Sequence, residues 1–190
     1  GRELEAKLAE LKAQGRPLTL AEAAPKDVPD DQNAAVLYQK VFGEFSSGDV
    51  SERRCIGGMT NEEQRIFWEY TKTGDARLKA QGREILNRPA VQRDLAIIRQ
   101  ASQRPYSVFP INWEDGAGAL FPHLGKFSAA SRMLSAQALV LADEGRLDEA
   151  LDWCRVSLRM SEHAASEPTL IGQLVAYAMQ AITFDAVQQI

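Results

Sequence analysis

The sequence predicts an all-α protein, and three observations carry that prediction. Apolar residues recur at spacings of three and four in segment after segment, the period of one helix face. Two T-x-x-E capping boxes, Thr19 with Glu22 and Thr60 with Glu63, mark helix starts. No stretch commits to β structure, since the apolar run Val108 to Ile111 has no partner strand.

The elements follow in order. Leu4, Leu8 and Leu11 give a short amphipathic helix that Gly15 and Pro17 end. Thr19 opens a brief turn that stops before Pro25, and 25–33 reads as a Pro-, Asp- and Asn-rich loop. A firmer helix is expected from Asp31 to Phe45, with Ala34, Leu37, Tyr38, Val41, Phe42 and Phe45 on one face. Residues 46–58 form a polar connection. Thr60 then starts a helix carrying Ile66, Phe67 and Tyr70 that ends at Gly74. Ala76 to Leu86 is helical by propensity, and Pro89 restarts the helix that carries Val91, Leu95 and Ile98 to near Pro105. Tyr106 to Phe121 has no helical period and holds Pro110, Gly116 and Gly118. Three long helices are expected at about 122–143, 146–163 and 168–190. The sum is one helical domain over 1–190, with sub-parts 1–105 and 122–190 joined by the irregular segment.

The 190 residues are long enough to bury a sizeable core. Hydrophobic residues at 45% and charged residues at 25% place the chain among globular proteins rather than disordered ones. A net charge of −4 argues against non-specific nucleic-acid binding. One local segment runs the other way: Arg77, Lys79, Arg83, Arg88, Arg93, Arg99 and Arg104 face only Glu84 and Asp94. Without interleaved aromatics its default reading is a solvated helix surface, the other being contact with phosphates or an acidic partner. Cys55 and Cys154 form no C-x-x-C pair, so a disulfide framework and a Cys-rich zinc site are excluded, and Cys154 suits a small buried apolar position. No run of about 18 apolar residues appears, so no transmembrane segment is expected. The chain opens on Gly1 and stops at Ile190 inside an apolar-periodic segment, so the natural protein is expected to continue. An exported or membrane-anchored ectodomain is favoured over a cytoplasmic protein.

Leu139 to Leu158, LVLADEGRLDEALDWCRVSL, is the stretch whose spacing specifies an architecture: a helix end, a turn at Gly145 and a second amphipathic helix opened by Asp148 and Glu149. Small residues at Ala138, Ala142 and Ala150 allow close approach. Over about residues 131–164 this register resembles a tetratricopeptide repeat, with Ala138, Leu141, Gly145, Leu147, Ala150, Leu151 and Leu158 at its marked positions. Gln137, Ser157 and Glu162 depart from the pattern, and no second copy follows at a 34-residue period. Capping plus periodicity in a generic αα-hairpin gives the same G-x-x-x-E-A-L, so both readings stand. The resemblance implies an α-solenoid-like domain of antiparallel helix hairpins that acts by binding a protein or peptide partner, with no catalytic residues of its own. The chain as a whole also resembles exported helical proteins, a likeness that implies no activity.

The irregular segment holds the candidate site. Tyr106, Phe109 and Trp113 offer rigid aromatic contact area, Glu114 and Asp115 adjacent negative charge, and His123 lies at a helix start. The competing reading packs those aromatics over the helices, with the acids solvated. The favoured function is a non-catalytic interaction module. The alternatives are a hydrolase-like enzyme using Glu114, Asp115 and His123, and a purely structural ectodomain. No cofactor is expected, and no metal site, because His123 and His163 are the only histidines and form no H-E-x-x-H or H-x-x-x-H pairing.

Overall fold

The computed structural model describes residues 1–43 and 56–190, with Ala117 described by its backbone alone. Nine α-helices form among the described residues: α1 (Arg2–Ala13), α2 (Leu20–Ala23), α3 (Ala34–Phe42), α4 (Asn61–Thr73), α5 (Ala76–Leu86), α6 (Pro89–Ser102), α7 (Pro122–Asp143), α8 (Leu147–Ala165) and α9 (Leu170–Gln189). No strand forms among them; the nearest approach to one is a lone parallel bridge between Asn33 and Tyr106.

Of the two expected capping boxes one is complete: at α2 Thr19 accepts from the Glu22 amide, but the Glu22 carboxylate takes the Leu18 amide instead of that of Thr19. Thr60 and Glu63 complete both bonds of the box at the start of α4, and Gly74 ends that helix in the left-handed region at φ 64°. Asp75 caps α5 by accepting from the amides of Arg77 and Leu78. Pro89 and Pro122 occupy the first turns of α6 and α7, where an amide would have no helical partner. α3 is shorter than the expected 31–45. Asn33 rather than Asp31 caps it, and Gly43 at φ 91° breaks it after Phe42. Phe45, Cys55 and most of the connection expected at 46–58 lie outside the described residues.

The hairpin of α7 and α8 closes on a Schellman motif. The Arg146 amide donates to the Leu141 carbonyl at 3.0 Å and the Gly145 amide to that of Ala142 at 2.9 Å, with Gly145 at φ 77°. Of the three small residues expected to allow close approach, Ala138 and Ala150 are fully buried and Ala142 is half-buried. α9 returns antiparallel and packs on both. A hydroxyl seam ties the three together. Ser131 and Ser157 meet at 3.0 Å, Ser157 and Thr183 at 2.7 Å, and Thr183 donates to the Met179 carbonyl at 2.9 Å. Every one of these groups is sealed from water, so the seam satisfies polar atoms that would otherwise be costly to bury.

The amino-terminal helices pack onto this trio: α4 and α5 against α7, α6 against α8, and α3 against α6. One hydrophobic core runs through both halves, with Tyr38, Phe42, Phe67, Phe127, Leu134, Met160 and Met179 among its largest sealed side chains. Cys154 is a free buried thiol whose pKa burial pushes up, in keeping with the apolar role expected of it. α1 buries no residue at all, and its Leu4 and Leu8 face solvent.

The arginine-rich segment proves to be stitching. Arg88 pairs with Glu63 at 2.6 Å, Lys79 with Asp143, and Arg83 with Glu144. Arg99 stacks 4.0 Å over the Trp153 ring, and Arg104 donates to the carbonyls of Asp30 and Asn33. These partners lie on other elements, so the segment's charge is largely committed within the molecule.

Candidate functional site

The segment from Gln103 to Phe121 is held at its start by two devices from distant sequence. Asn33 uses one side chain three ways. Its Oδ1 accepts from the amides of Ala35 at 3.0 Å and Val108 at 2.9 Å, while Nδ2 donates to the Val108 carbonyl at 2.9 Å. It therefore caps α3 and imitates a strand partner for Val108. The second device is His163 on α8, whose Nε2 lies 3.0 Å from the Arg104 carbonyl and whose Nδ1 lies 3.0 Å from the Tyr38 hydroxyl. A carbonyl can only accept, so Nε2 carries the proton and Tyr38 donates to Nδ1. Burial lowers the His163 pKa and raises that of Tyr38, which keeps both groups neutral.

These anchors sort the expected site residues into two groups. Phe109 turns inward and stacks on His123 with ring centroids 3.9 Å apart, next to Tyr38 and Phe127. His123 is fully sealed, and its Nε2 hydrogen bonds to the carboxylate of Glu167, itself buried in the α8–α9 connection. Tyr106, Glu114 and Asp115 face solvent, and Trp113 sits half-buried in a 3-10 turn, edge-on to Phe121 at 5.7 Å. The structure thus brings Phe109 and His123 together and leaves Glu114 and Asp115 outside that cluster. The buried acid is Glu167, which no periodicity or motif singles out.

A second surface emerges on α9. Its inner face, Gly172, Ala176, Met179, Thr183 and Ala186, is buried against α7 and α8. Its outer face is apolar and bare. Leu170 is 75% exposed, Leu174 57%, Tyr177 63% and Phe184 53%, with Ile171 and Val187 beside them. Leu170, Leu174, Tyr177, Ala181 and Phe184 step by four, three, four and three residues, the spacing of a coiled-coil seam. Together these side chains expose several hundred Å², on the order of the largest apolar patch a monomer shows. α9 is also long and apolar enough to cross a membrane by length and composition, although Gln173, Gln180, Thr183 and Asp185 keep it from reading as one uninterrupted apolar run.

Among the described residues, no group of three or more His, Cys, Asp and Glu side chains is placed to hold a metal ion. The fold and these surfaces define an all-α protein of packed helix pairs. No protein family, curated protein or solved structure matches the chain.

Proposed function

We propose that this chain is a non-catalytic interaction module that receives an amphipathic helix of another protein along the outer face of α9. The carrying observation is the exposed seam Leu170, Leu174, Tyr177, Ala181 and Phe184. A strip with 4-3-4-3 spacing is complementary to another helix, whose side chains insert between its own. Its placement supports the tetratricopeptide-like reading as well, because a following helix in a stack of hairpins would lie on this face. Charge narrows the partner. From Leu170 to Ile190 the only charged residue is Asp185, which is exposed, and the chain is net acidic at −4. A helix with basic flanks fits better than an acidic one. The absence of Lys and Arg from α9 also disfavours an anionic lipid surface, which binds helices with basic polar faces. Tyr106, Glu114 and Asp115 are exposed and Trp113 is half-buried, and aromatics and carboxylates of this kind suit a cationic group of a partner.

A fluorescent leucine-heptad helix with lysine flanks tests the proposal by anisotropy titration. Micromolar binding is expected, weakened with glutamate flanks and lost on Leu174→Glu/Tyr177→Glu. Equal binding to a scrambled peptide, or none, would overturn it. Dimerisation through α9 in sedimentation equilibrium would replace the partner helix with a second copy.

A further inference from the structure

Between α4 and α7 lies a pocket of about 340 Å³, at the small end of the range for small-molecule sites. Its floor is apolar, with Met59 and Phe67 buried there, and its rim carries Asn61, Arg65 and Trp68 of α4 and Arg132 of α7. Arg132 is the unusual member. It is half-buried on a core helix, yet among the described residues no carboxylate pairs with it. Among the described residues its one hydrogen bond runs from Nη1 to the Ser128 carbonyl of its own helix at 3.3 Å. A guanidinium has five N–H donors, so most of this one's capacity is unused where water is already thinned out. Burial correspondingly pulls its pKa below the ordinary arginine range.

The neighbouring charges reinforce the imbalance. Arg65 has Glu69 at 3.3 Å as its ion-pair partner, and Lys72 lies 4.0 Å over the Trp68 ring. Two cations, Arg65 and Arg132, thus line the pocket, and no carboxylate is among its described lining residues. Trp68, which lines the pocket, is 41% exposed. Structural arginines elsewhere in the chain, such as Arg88 and Arg146, close on carboxylates.

We infer that this pocket binds a small organic oxyanion, a carboxylate or phosphate monoester, through Arg132, with its flat apolar body against Trp68 and the Met59–Phe67 floor. Isothermal titration with phenyl phosphate, benzoate, inorganic phosphate and neutral benzamide tests it, the first two arms separating phosphate from carboxylate. Phenyl phosphate or benzoate should bind, benzamide should not, and inorganic phosphate should bind more weakly than phenyl phosphate.

Arg132→Met should weaken binding at least about tenfold, the effect of losing a charge-assisted bond. The same variant should melt at a higher temperature than the parent, because an unpaired cation is no longer buried. Arg132→Lys should keep part of the affinity, and Trp68→Ala should weaken phenyl phosphate more than inorganic phosphate. No binding by either aromatic anion, or an Arg132→Met protein that melts lower and binds unchanged, would overturn the inference.

Discussion

Tyr38 and His163, 125 residues apart in sequence, meet at 3.0 Å in the core, and the imidazole passes the connection on to the Arg104 carbonyl. This relay joins α3, α8 and the start of the 103–121 segment. It places the hydroxyl and both ring nitrogens in partnership, which makes each member sensitive to loss of the next. Tyr38→Phe should leave Nδ1 without its donor and cost about 1–3 kcal/mol in urea denaturation, with no change in helix content by circular dichroism.

The same relay sets a pH dependence. Burial is the main cause that lowers the folded-state pKa of His163. The unfolded chain, with an imidazole pKa of about 6.5, therefore binds more protons between the two values, so stability rises with pH across that window. Below about pH 6.5 the contribution is progressively lost. Denaturation midpoints at pH 7.5 and pH 5 should show the fall, and His163→Gln should reduce it.

Asn33 supplies a helix cap and both bonds to Val108. Asn33→Ala should cost about 2–4 kcal/mol, a cap plus buried hydrogen bonds. The loss should be local as well: hydrogen exchange should speed up at Ala35 and Val108 before it does in α7–α9.

Glu167→Ala should destabilise by about 3 kcal/mol, because it leaves a sealed His123 facing an apolar gap. Glu167→Gln keeps a hydrogen-bonding partner and should lose less. Thermal melts of the two variants check the ordering.

Gly172 sits where α9 starts close against the end of α8. A Cβ there would stand 2.8 Å from the Ala164 carbonyl oxygen, a backbone atom that cannot swing aside. Gly172→Ala should lower stability by about 1–3 kcal/mol despite its better helix propensity, measured by urea denaturation.

Local chemistry made most of the fold legible. Gly145, Gly74, the Thr60–Glu63 box and the prolines opening α6 and α7 act within a few residues of themselves, and the expected α5 of Ala76 to Leu86 coincides with the observed one. The start of α3 went astray because Asn33 is fixed by Val108, 75 residues away, rather than by its neighbours. The candidate site was legible only as a segment. Which aromatics turn inward depends on His123, Glu167 and Tyr38, groups that share no spacing. α9 hid its outer face for another reason: a helix apolar on both sides gives a weak periodic signal, so the sequence pattern does not tell the packed side from the bare one.

The bare side of α9 is the central claim, and Leu174→Glu/Tyr177→Glu tests it most directly when stability and binding are measured on the same protein. Side chains more than half exposed should change denaturation free energy by no more than about 0.5 kcal/mol each, while binding of the basic heptad helix disappears. A loss of several kcal/mol on denaturation, or a variant that binds the helix as the parent does, would contradict the account.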